Sequence, residues 1–354
     1  MLHLSYSHRA LQFNFPARTS RGVLAEHHAW YLHLRGGEGT AGVGEAAPLA
    51  GLSPDFGPGF EAAVQQLCAR FNAARLDAFA AADAPALTGP GLPALTFALE
   101  TAALDLANGG RHQLYANTFA RGVQPLPING LVWMGDAGFM RDQIWQKLDA
   151  GYSCLKLKIG ALDFAAELAL LAEIRAEANS AQLMLRVDAN GGFTPTDAPA
   201  RLAALAEFAV HSIEQPIAAG QTQALAALCR QSPLPIGLDE ELIGVTDPVA
   251  QEALLDAIRP AYIILKPTLL GGHAATRRWI ALAEARGIGW WMTSALESNI
   301  GLNAVAQLAG EYAVGDFAQG LGTGQLYHNN VAAPLHITAG QLRYDPAGIW
   351  ETAG

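Results

Sequence analysis

The sequence predicts an α/β protein in which a (β/α)7β barrel carries an N-terminal α+β capping domain. From residue 125 onward, short apolar runs alternate with amphipathic helical segments, which is typical of a closed parallel barrel. Before that point, three strand-like runs precede two helical segments, which favours a separate α+β domain. After residue 325, apolar and polar residues alternate again, so the C-terminal tail is predicted to return as a strand and complete the cap.

The capping domain is predicted to span residues 1–120. Strands are expected at 3–15 and 24–34, where apolar residues alternate, and helices at 57–74 and 93–108. The motif Gly37-x-Gly39-x-x-Gly42 has the spacing of a dinucleotide-binding loop, but no helical segment follows it. A hairpin turn is therefore the better interpretation.

Two connections of the cap are predicted to be mobile loops that close over an active site. They are residues 16–24, which carry Arg21, and residues 48–55. Both contain glycine and proline, and loops of this kind often order over a bound ligand.

The barrel is predicted to span residues 121–325, and the tail residues 326–354. Its strands are expected at PINGLVW (127–133), CLKLKI (154–159), LMLRVD (183–188), VHSIEQ (210–215), LPIGLDE (234–240), AYIILK (261–266), IGWWMTS (288–294) and AQGLGTG (318–324). Helical segments separate these strands, but no clear helix follows the eighth. The pattern therefore predicts a modified TIM barrel.

Composition excludes several classes of protein. The 354 residues are 51% hydrophobic and 15% charged, so the chain can bury a large core. The net charge of −10 argues against nucleic-acid binding. No apolar run has membrane-spanning length, and the N-terminus lacks a signal-peptide core. The three cysteines form no CxxC pair, so we expect a cytoplasmic protein without a disulfide framework.

Charged residues stand at the ends of five consecutive barrel strands. They are Lys158, Asp188, Glu214, Asp239 and Lys266. The C-terminal strand ends of such a barrel meet at one mouth, where active sites lie. Three carboxylates from adjacent strands form an all-oxygen site that suits Mg²⁺, for which Mn²⁺ is expected to substitute.

Each of these residues also has a purely structural interpretation. An aspartate at a strand end is often the N-cap of the next helix. Lys266 precedes Pro267 and could simply end a strand, and the acidic run at 238–242 could be a first helical turn. The occurrence of all five residues, in strand order and about 25 to 30 residues apart, favours an active site.

Lys156 and Lys158 lie two residues apart in the apolar run LKLKIG. In a strand they point to the same face, and burying two cations together is costly unless carboxylates face them. A metal ion that stabilises an enediolate, beside a lysine that removes the α-proton, is a chemistry that this arrangement can perform.

The chain resembles the muconate-lactonising branch of the enolase superfamily in the motifs LKLKIG, LRVDAN, IEQPI, LDEEL, IILKP and TSALES. The resemblance covers essentially the whole chain. Within that branch, the chain is similar to the o-succinylbenzoate synthases in SRGVL, INGLVWMGDAGF, SIEQPI, WWMTSALESNIGLN and GLGTGQLY. N-acylamino-acid racemases and dipeptide epimerases share the motifs of the branch.

The resemblance implies a role for each matching position. It makes Lys158 the proton-abstracting base, Lys156 its neighbour near the substrate carboxylate, and Lys266 the opposite lysine. Asp188, Glu214 and Asp239 match the metal ligands, and Glu240 lies behind them. The remaining matches imply substrate contacts from Arg186 and Asn190 on either side of Asp188, from Ser294 to a succinyl carboxylate, and from Arg21 in the cap.

The resemblance also implies the reaction, a Mg²⁺-dependent dehydration of 2-succinyl-6-hydroxy-2,4-cyclohexadiene-1-carboxylate to 2-succinylbenzoate in menaquinone biosynthesis. The substrate is then a small-molecule carboxylate, and a homo-oligomer is compatible with the sequence.

Two other functions remain open. An N-acylamino-acid racemase or a dipeptide epimerase needs both lysines to exchange protons, but dipeptide epimerases carry Asp-x-Asp where this chain has Gly322-Thr323-Gly324. A non-catalytic binding barrel would be favoured by loss of a ligand or a lysine, and none is lost.

Overall fold

A computed structural model of the protein describes residues 1–19, 22–160 and 162–352. Its strands are His3–Thr19 (β1), Gly22–Arg35 (β2), Ala41–Ala46 (β3), Leu126–Pro127 (β4), Gly130–Val132 (β5), Cys154–Lys158 (β6), Met184–Asp188 (β7), Ser212–Glu214 (β8), Ile236–Leu238 (β9), Tyr262–Leu265 (β10), Gly289–Met292 (β11), Leu335–Thr338 (β12) and Gln341–Tyr344 (β13).

The α-helices are Phe60–Ala73 (α1), Ala84–Thr88 (α2), Pro93–Ala107 (α3), Ala137–Asp149 (α4), Phe164–Glu177 (α5), Ala198–Ala206 (α6), Thr222–Gln231 (α7), Pro248–Ile258 (α8), Pro267–Leu270 (α9), Gly272–Glu284 (α10) and Asn299–Ala309 (α11). Within the described residues, no helix is both long and apolar enough to cross a membrane.

The cap is a three-stranded antiparallel sheet, β1-β2-β3, with α1 and α3 against it. A short 3-10 turn at Gly37–Gly39 joins β2 to β3, so the predicted hairpin is confirmed. β3 lies so close to α3 that a Cβ atom on Gly44 would stand 1.9 Å from the Ala98 carbonyl oxygen. The glycines of this segment therefore serve close strand–helix packing.

The prediction of a loop over residues 16–24 was wrong for most of that segment. β1 continues to Thr19 and β2 begins at Gly22, after a shift of register between Gln12 and Ala17. Pairing of residues 17–19 with residues 22–24 across the two strands therefore orders a segment whose composition is typical of a loop. Residues 48–55 do form an irregular connection, as predicted, in which Ser53 Oγ accepts from Leu49 N–H at 2.7 Å.

The barrel consists of seven parallel strands in the order β5 to β11, closed by an irregular eighth segment. Gln319 pairs with Ile128 on one side, and Gly320 pairs with Thr293 on the other. The predicted eighth strand at 318–324 is therefore reduced to isolated bridges. Three glycines in this segment weaken strand formation, because glycine loses the most conformational entropy and offers no side chain to pack.

The tail returns to the cap, but its strands do not join the cap sheet. β12 and β13 form a hairpin that pairs with β4, just before the first barrel strand. Contacts with the cap come instead from neighbouring segments: Asn329 Oδ1 accepts from Gln12 N–H at 2.8 Å, and Arg9 forms an ion pair with Glu351 at 3.1 Å.

Polar contacts connect the cap to the end of the barrel that bears the candidate site. Glu45 on β3 accepts hydrogen bonds from Ser298 N–H and Gly301 N–H, both at 2.7 Å, at the start of α11. On α3, Thr101 hydrogen-bonds to His273 of α10 at 2.9 Å. An apolar cluster that includes Phe13, Trp133 and Leu296 packs between the two parts. The cap is thus fixed above the strand ends.

Candidate active site

Strand register brings the central charged residues to one level. Lys158 pairs with Asp188, and Asp188 pairs with Glu214, across parallel strands β6, β7 and β8. Residues in register on neighbouring parallel strands point to the same face. Asp239 and Lys266 follow directly after β9 and β10. All three carboxylate residues are at most 2% exposed.

Each of these carboxylates is paired with a lysine. Lys156 Nζ lies 2.6 Å from Glu214 Oε2 and 2.9 Å from Asp188 Oδ2. Lys158 Nζ contacts the same Asp188 oxygen at 2.6 Å, and Lys266 donates to Asp239. The structure therefore brings together the six residues that were predicted to be lysines of the site and metal ligands.

Asn190 and Glu240 extend this network. Asn190 Oδ1 accepts from Lys158 Nζ at 2.9 Å, while its amide donates to Glu240 Oε1 at 3.1 Å. Asn190 has a positive φ of 44°, which asparagine tolerates better than most residues. It is thus placed at the cavity, and Glu240 lies behind it.

Two of the predicted substrate contacts, Ser294 and Arg186, are placed differently. Ser294 borders the cavity, but its hydroxyl donates to Glu297 Oε2 at 2.5 Å and accepts from Leu296 N–H. The only proton of the Ser294 hydroxyl is therefore already donated to Glu297. Arg21 lies outside the described residues, so its role stays a prediction.

Arg186 does not reach the cavity. Its guanidinium donates to the Ala318 carbonyl at 2.7 Å and lies 4.1 Å from the Trp291 ring centroid. Although Arg186 shares a strand face with Asp188, its long side chain extends towards Ala318 and Trp291 and does not line the cavity. We therefore do not retain it as a substrate ligand.

Burial and charge act in opposite directions on these groups. Burial alone lowers the pKa of Lys156, but the charges of Asp188 and Glu214 outweigh it, so the pKa is raised. Burial also opposes ionisation of Asp188, yet Lys156 and Lys158 hold its pKa below the usual range. Glu214 differs, because burial and the charge of Asp188 raise its pKa.

The lysines open onto a central cavity of about 90 Å³. One wall carries Lys156, Lys158, Asn190 and Lys266, while Leu49, Leu52, Leu131, Trp133 and Leu296 form the apolar wall. The cap connection 48–55 therefore contributes to the cavity. An apolar wall opposite cations suits a ring that bears a carboxylate.

Two polar residues of this cavity whose side-chain oxygens lack partners, Asn129 and Thr323, were not assigned a role from the sequence. They are 3% and 5% exposed, and among the described residues neither Asn129 Oδ1 nor Thr323 Oγ1 has a hydrogen-bond partner. Buried polar atoms without partners are uncommon. Thr323 was noted only as the residue between two glycines where dipeptide epimerases carry Asp-x-Asp. Both residues become neighbours of the cavity only when the barrel closes, so the local sequence does not reveal this role.

The carboxylates fit a hard divalent cation. As the side chains stand, no three acidic, histidine or cysteine groups of the described residues are arranged around a common point, because lysines hold the carboxylates. However, Glu214 Oε1 is buried without a partner, and the donor set is entirely oxygen, which Mg²⁺ prefers. A cation could replace the lysine contacts at Asp188, Glu214 and Asp239.

Comparison with known proteins is consistent with this site. Residues 140–347 match the family described as enolase C-terminal domain-like, whose superfamily uses a divalent metal. The o-succinylbenzoate synthase of Desulfotalea psychrophila is 48% identical, over 96% of this chain and 98% of its own. The crystal structure of MenC from the same organism superposes with a TM-score of 0.85, at 44% identity, over 97% of this chain and 99% of that chain.

A hydrophobic dipeptide epimerase of Roseobacter litoralis is also similar, at 28% identity over 92% of this chain and 94% of its own. The higher identity and coverage lie with the synthase. The chain therefore belongs to the enolase superfamily and, within it, to the family of o-succinylbenzoate synthases, which are hydro-lyases.

Proposed function

We propose that this protein dehydrates 2-succinyl-6-hydroxy-2,4-cyclohexadiene-1-carboxylate to 2-succinylbenzoate, a step of menaquinone biosynthesis. The observation that carries the proposal is that Lys158 and Lys266 line one cavity with an apolar wall, while three buried carboxylates pair with the lysines of that cavity. The full-length similarity to an o-succinylbenzoate synthase supports the choice of substrate. The three free cysteines support a reducing compartment such as the cytoplasm.

Asp188, Glu214 and Asp239 would hold Mg²⁺, with Mn²⁺ as a substitute. When bound, the cation would supply positive charge beside the substrate carboxylate, where negative charge develops as the α-proton leaves. A hard ion with oxygen ligands suits this donor set.

Lys158 is assigned as the base. Its side chain is 18% exposed, against 7% for that of Lys156, so its amine is the more accessible of the pair from the cavity. Lys158 takes the proton from the ring carbon that bears the carboxylate, and the electron pair moves onto that carboxylate. The electron pair then returns from the carboxylate to form a ring double bond, and the carbon–oxygen bond to the hydroxyl group breaks. Lys158 gives its proton to that hydroxyl, which leaves as water, and the ring becomes aromatic.

Lys156 and Lys266 are assigned as fixed cations. Lys156 is held between Asp188 and Glu214, and its raised pKa keeps it an ammonium. Lys266 lies at the cavity next to Asp239, and the charges of Asp239 and Glu240 outweigh burial and raise its pKa. A fixed positive charge beside the enediolate lowers the barrier more effectively in a dry site than in water.

Asn129 and Thr323 are proposed to bind oxygen atoms of the succinyl side chain. Both line the cavity beside Gly320 and Gly322. The Asn129 amide nitrogen carries two N–H donors and the Thr323 hydroxyl carries one, so both side chains can donate to an oxygen atom of the substrate. These two residues replace Ser294 in this role, because its proton is bound to Glu297.

The test compares Lys158→Arg with Lys266→Arg in the presence of Mg²⁺. Lys158→Arg should abolish dehydration, since a guanidinium does not act as a base near neutral pH. Lys266→Arg keeps the charge but moves it, so this variant should be impaired through geometry. Product formation is followed by absorbance, and circular dichroism checks that both variants fold.

A second measurement separates dehydration from racemisation. Solvent deuterium exchange is measured at the α-carbon of an N-acylamino acid. If both enantiomers exchange and interconvert far faster than the cyclohexadiene acid is dehydrated, the proposed reaction is wrong and racemisation replaces it. Full dehydration activity in excess chelator would contradict the metal assignment.

A further inference from the structure

A second cleft lies between the cap and the barrel, away from the central cavity. Its volume is about 510 Å³, within the range that small organic ligands occupy. Among the described residues, the two cavities share no lining residue. The cleft is therefore not an extension of the proposed active site.

The walls of the cleft are apolar and come from both parts of the molecule. The cap contributes Pro54, Pro85, Pro90, Leu92 and Pro93, and the barrel contributes Leu242, Val245, Leu269 and Leu270. Proline rings offer flat apolar surfaces, and the leucines face them across the cleft. This lining favours a flat, apolar body such as an aromatic ring system.

Two polar groups at the cleft lack partners. Arg278 is exposed, and within the described part of the chain its guanidinium makes no hydrogen bond or ion pair. Gln251 is 1% exposed; its amide donates to the Val245 carbonyl at 2.9 Å, but its Oε1 atom accepts from no described group. A buried acceptor without a donor is costly, and a ligand could satisfy it.

The cleft also has a defined charge. Its described lining contains no aspartate or glutamate, so Arg278 is the one charged side chain among those residues. A guanidinium binds a carboxylate through two parallel hydrogen bonds. Apolar walls with one cation and one buried acceptor therefore match an aromatic acid that carries a hydroxyl group.

We propose that this cleft is a binding site for a small aromatic carboxylate. The rings lie between the prolines of the cap and the leucines of the barrel, the carboxylate binds Arg278, and a hydroxyl donates to Gln251 Oε1. Leu269 and Leu270 donate backbone hydrogen bonds to the Lys266 carbonyl at 2.9 and 3.0 Å. The ligand would therefore contact the turn that carries Lys266.

The test is isothermal titration calorimetry with 4′-hydroxybiphenyl-4-carboxylate on the full chain. We expect a submillimolar dissociation constant, and weakening of about tenfold in Arg278→Glu, where the interaction becomes repulsive. Biphenyl-4-carboxylate, which lacks the hydroxyl, should bind more weakly than the hydroxylated acid. The neutral biphenyl-4-carboxamide should lose the dependence on Arg278.

Matched variants separate this site from the central cavity. Ala274→Trp fills the cleft and should remove binding, whereas Ala281→Trp lies on the same helix outside the cleft and should not. Arg70→Glu is the charge control, since Arg70 is an exposed arginine on α1 away from the cleft. Of these four substitutions, Ala274→Trp and Arg278→Glu should weaken binding. Ala281→Trp and Arg70→Glu should leave the dissociation constant unchanged.

Two results would overturn the proposal. The first is the absence of measurable binding by either biphenyl acid. The second is equal binding to wild type, Arg278→Glu and Ala274→Trp, which would place the probe in the central cavity or elsewhere. Neither result depends on the proposed dehydration, because the readout is binding and not turnover.

Discussion

Lys156 offers the most direct test of how the active site is held together in the absence of metal. Its ammonium lies 2.6 Å from Glu214 and 2.9 Å from Asp188, and the residue is 6% exposed. The substitution Lys156→Met keeps an unbranched side chain and removes the charge. Asp188 then retains Lys158, but Glu214 keeps no cation within ion-pair distance among the described residues.

The expected loss of stability follows from this geometry. Removing one partner of a buried ion pair typically costs about 3–5 kcal/mol, because the other charge remains buried. Glu214 can limit the loss by taking up a proton, since burial and the charge of Asp188 already raise its pKa. We therefore expect a loss near the lower end, about 3 kcal/mol, in metal-free protein at neutral pH.

The assay is urea-induced unfolding followed by tryptophan fluorescence, with EDTA and then with Mg²⁺. Mg²⁺ should stabilise Lys156→Met more than wild type, because the cation supplies the positive charge that the variant lacks. Lys147→Met is the matched control. Lys147 contacts the Tyr152 ring, 5.0 Å from its centroid, and its loss should cost about 1 kcal/mol or less.

Wild-type stability of Lys156→Met in EDTA would refute this role of Lys156. The same role would also be refuted if Mg²⁺ stabilised both proteins equally. Either result would mean that Asp188 and Glu214 do not depend on Lys156 for charge compensation.

Three further predictions follow from other parts of the structure. Asn129→Leu should raise KM for the cyclohexadiene acid about tenfold through the loss of one substrate hydrogen bond, and unchanged KM in steady-state assays would remove Asn129 from the site. Burial and the neighbouring positive charge of Arg277 lower the pKa of His273 from 6.5 to about 3. Between these two pH values His273 is protonated in the unfolded chain but not in the folded protein, so the free energy of unfolding falls as the pH drops below 6.5. In urea titrations at several pH values, the free energy of unfolding of His273→Gln should depend less on pH than that of wild type. An identical pH dependence would contradict this role of His273. Gly44→Ala should destabilise the protein by about 1–3 kcal/mol through the clash with the Ala98 carbonyl, whereas Gly59→Ala, where the added carbon meets open space, should leave the melting temperature nearly unchanged.

The charged centre could be predicted because strand order alone places it. Lys158, Asp188 and Glu214 lie at the ends of consecutive parallel strands, so pairing of those strands brings them into register without further information. The barrel and the two main cap helices were predictable for a similar reason, since their apolar periodicity is local.

Other parts depended on contacts that a single sequence does not reveal. Asn129 and Thr323 come from opposite ends of the barrel sequence, and only closure places them on one wall. Arg186 and Asp188 point to the same face of their strand, but the direction in which a long side chain extends depends on the residues that pack around it. Ser294 is a plausible donor in sequence, whereas Glu297, three residues later, takes its proton.

The return of the tail has a consequence for synthesis of the protein. The cap strand β1 is made first, yet its partners include Asn329 and Glu351, more than 300 positions later in the chain. β4, which leads into the barrel, likewise cannot form its strand pairing until the hairpin β12–β13 has been made. Contacts this distant in sequence form slowly. While the ribosome is still translating the barrel, the cap therefore lacks part of its packing surface. Docking of the cap is complete only once residues 329–351 have been made, and truncation before residue 329 should affect both the cap and the region around β4 at once.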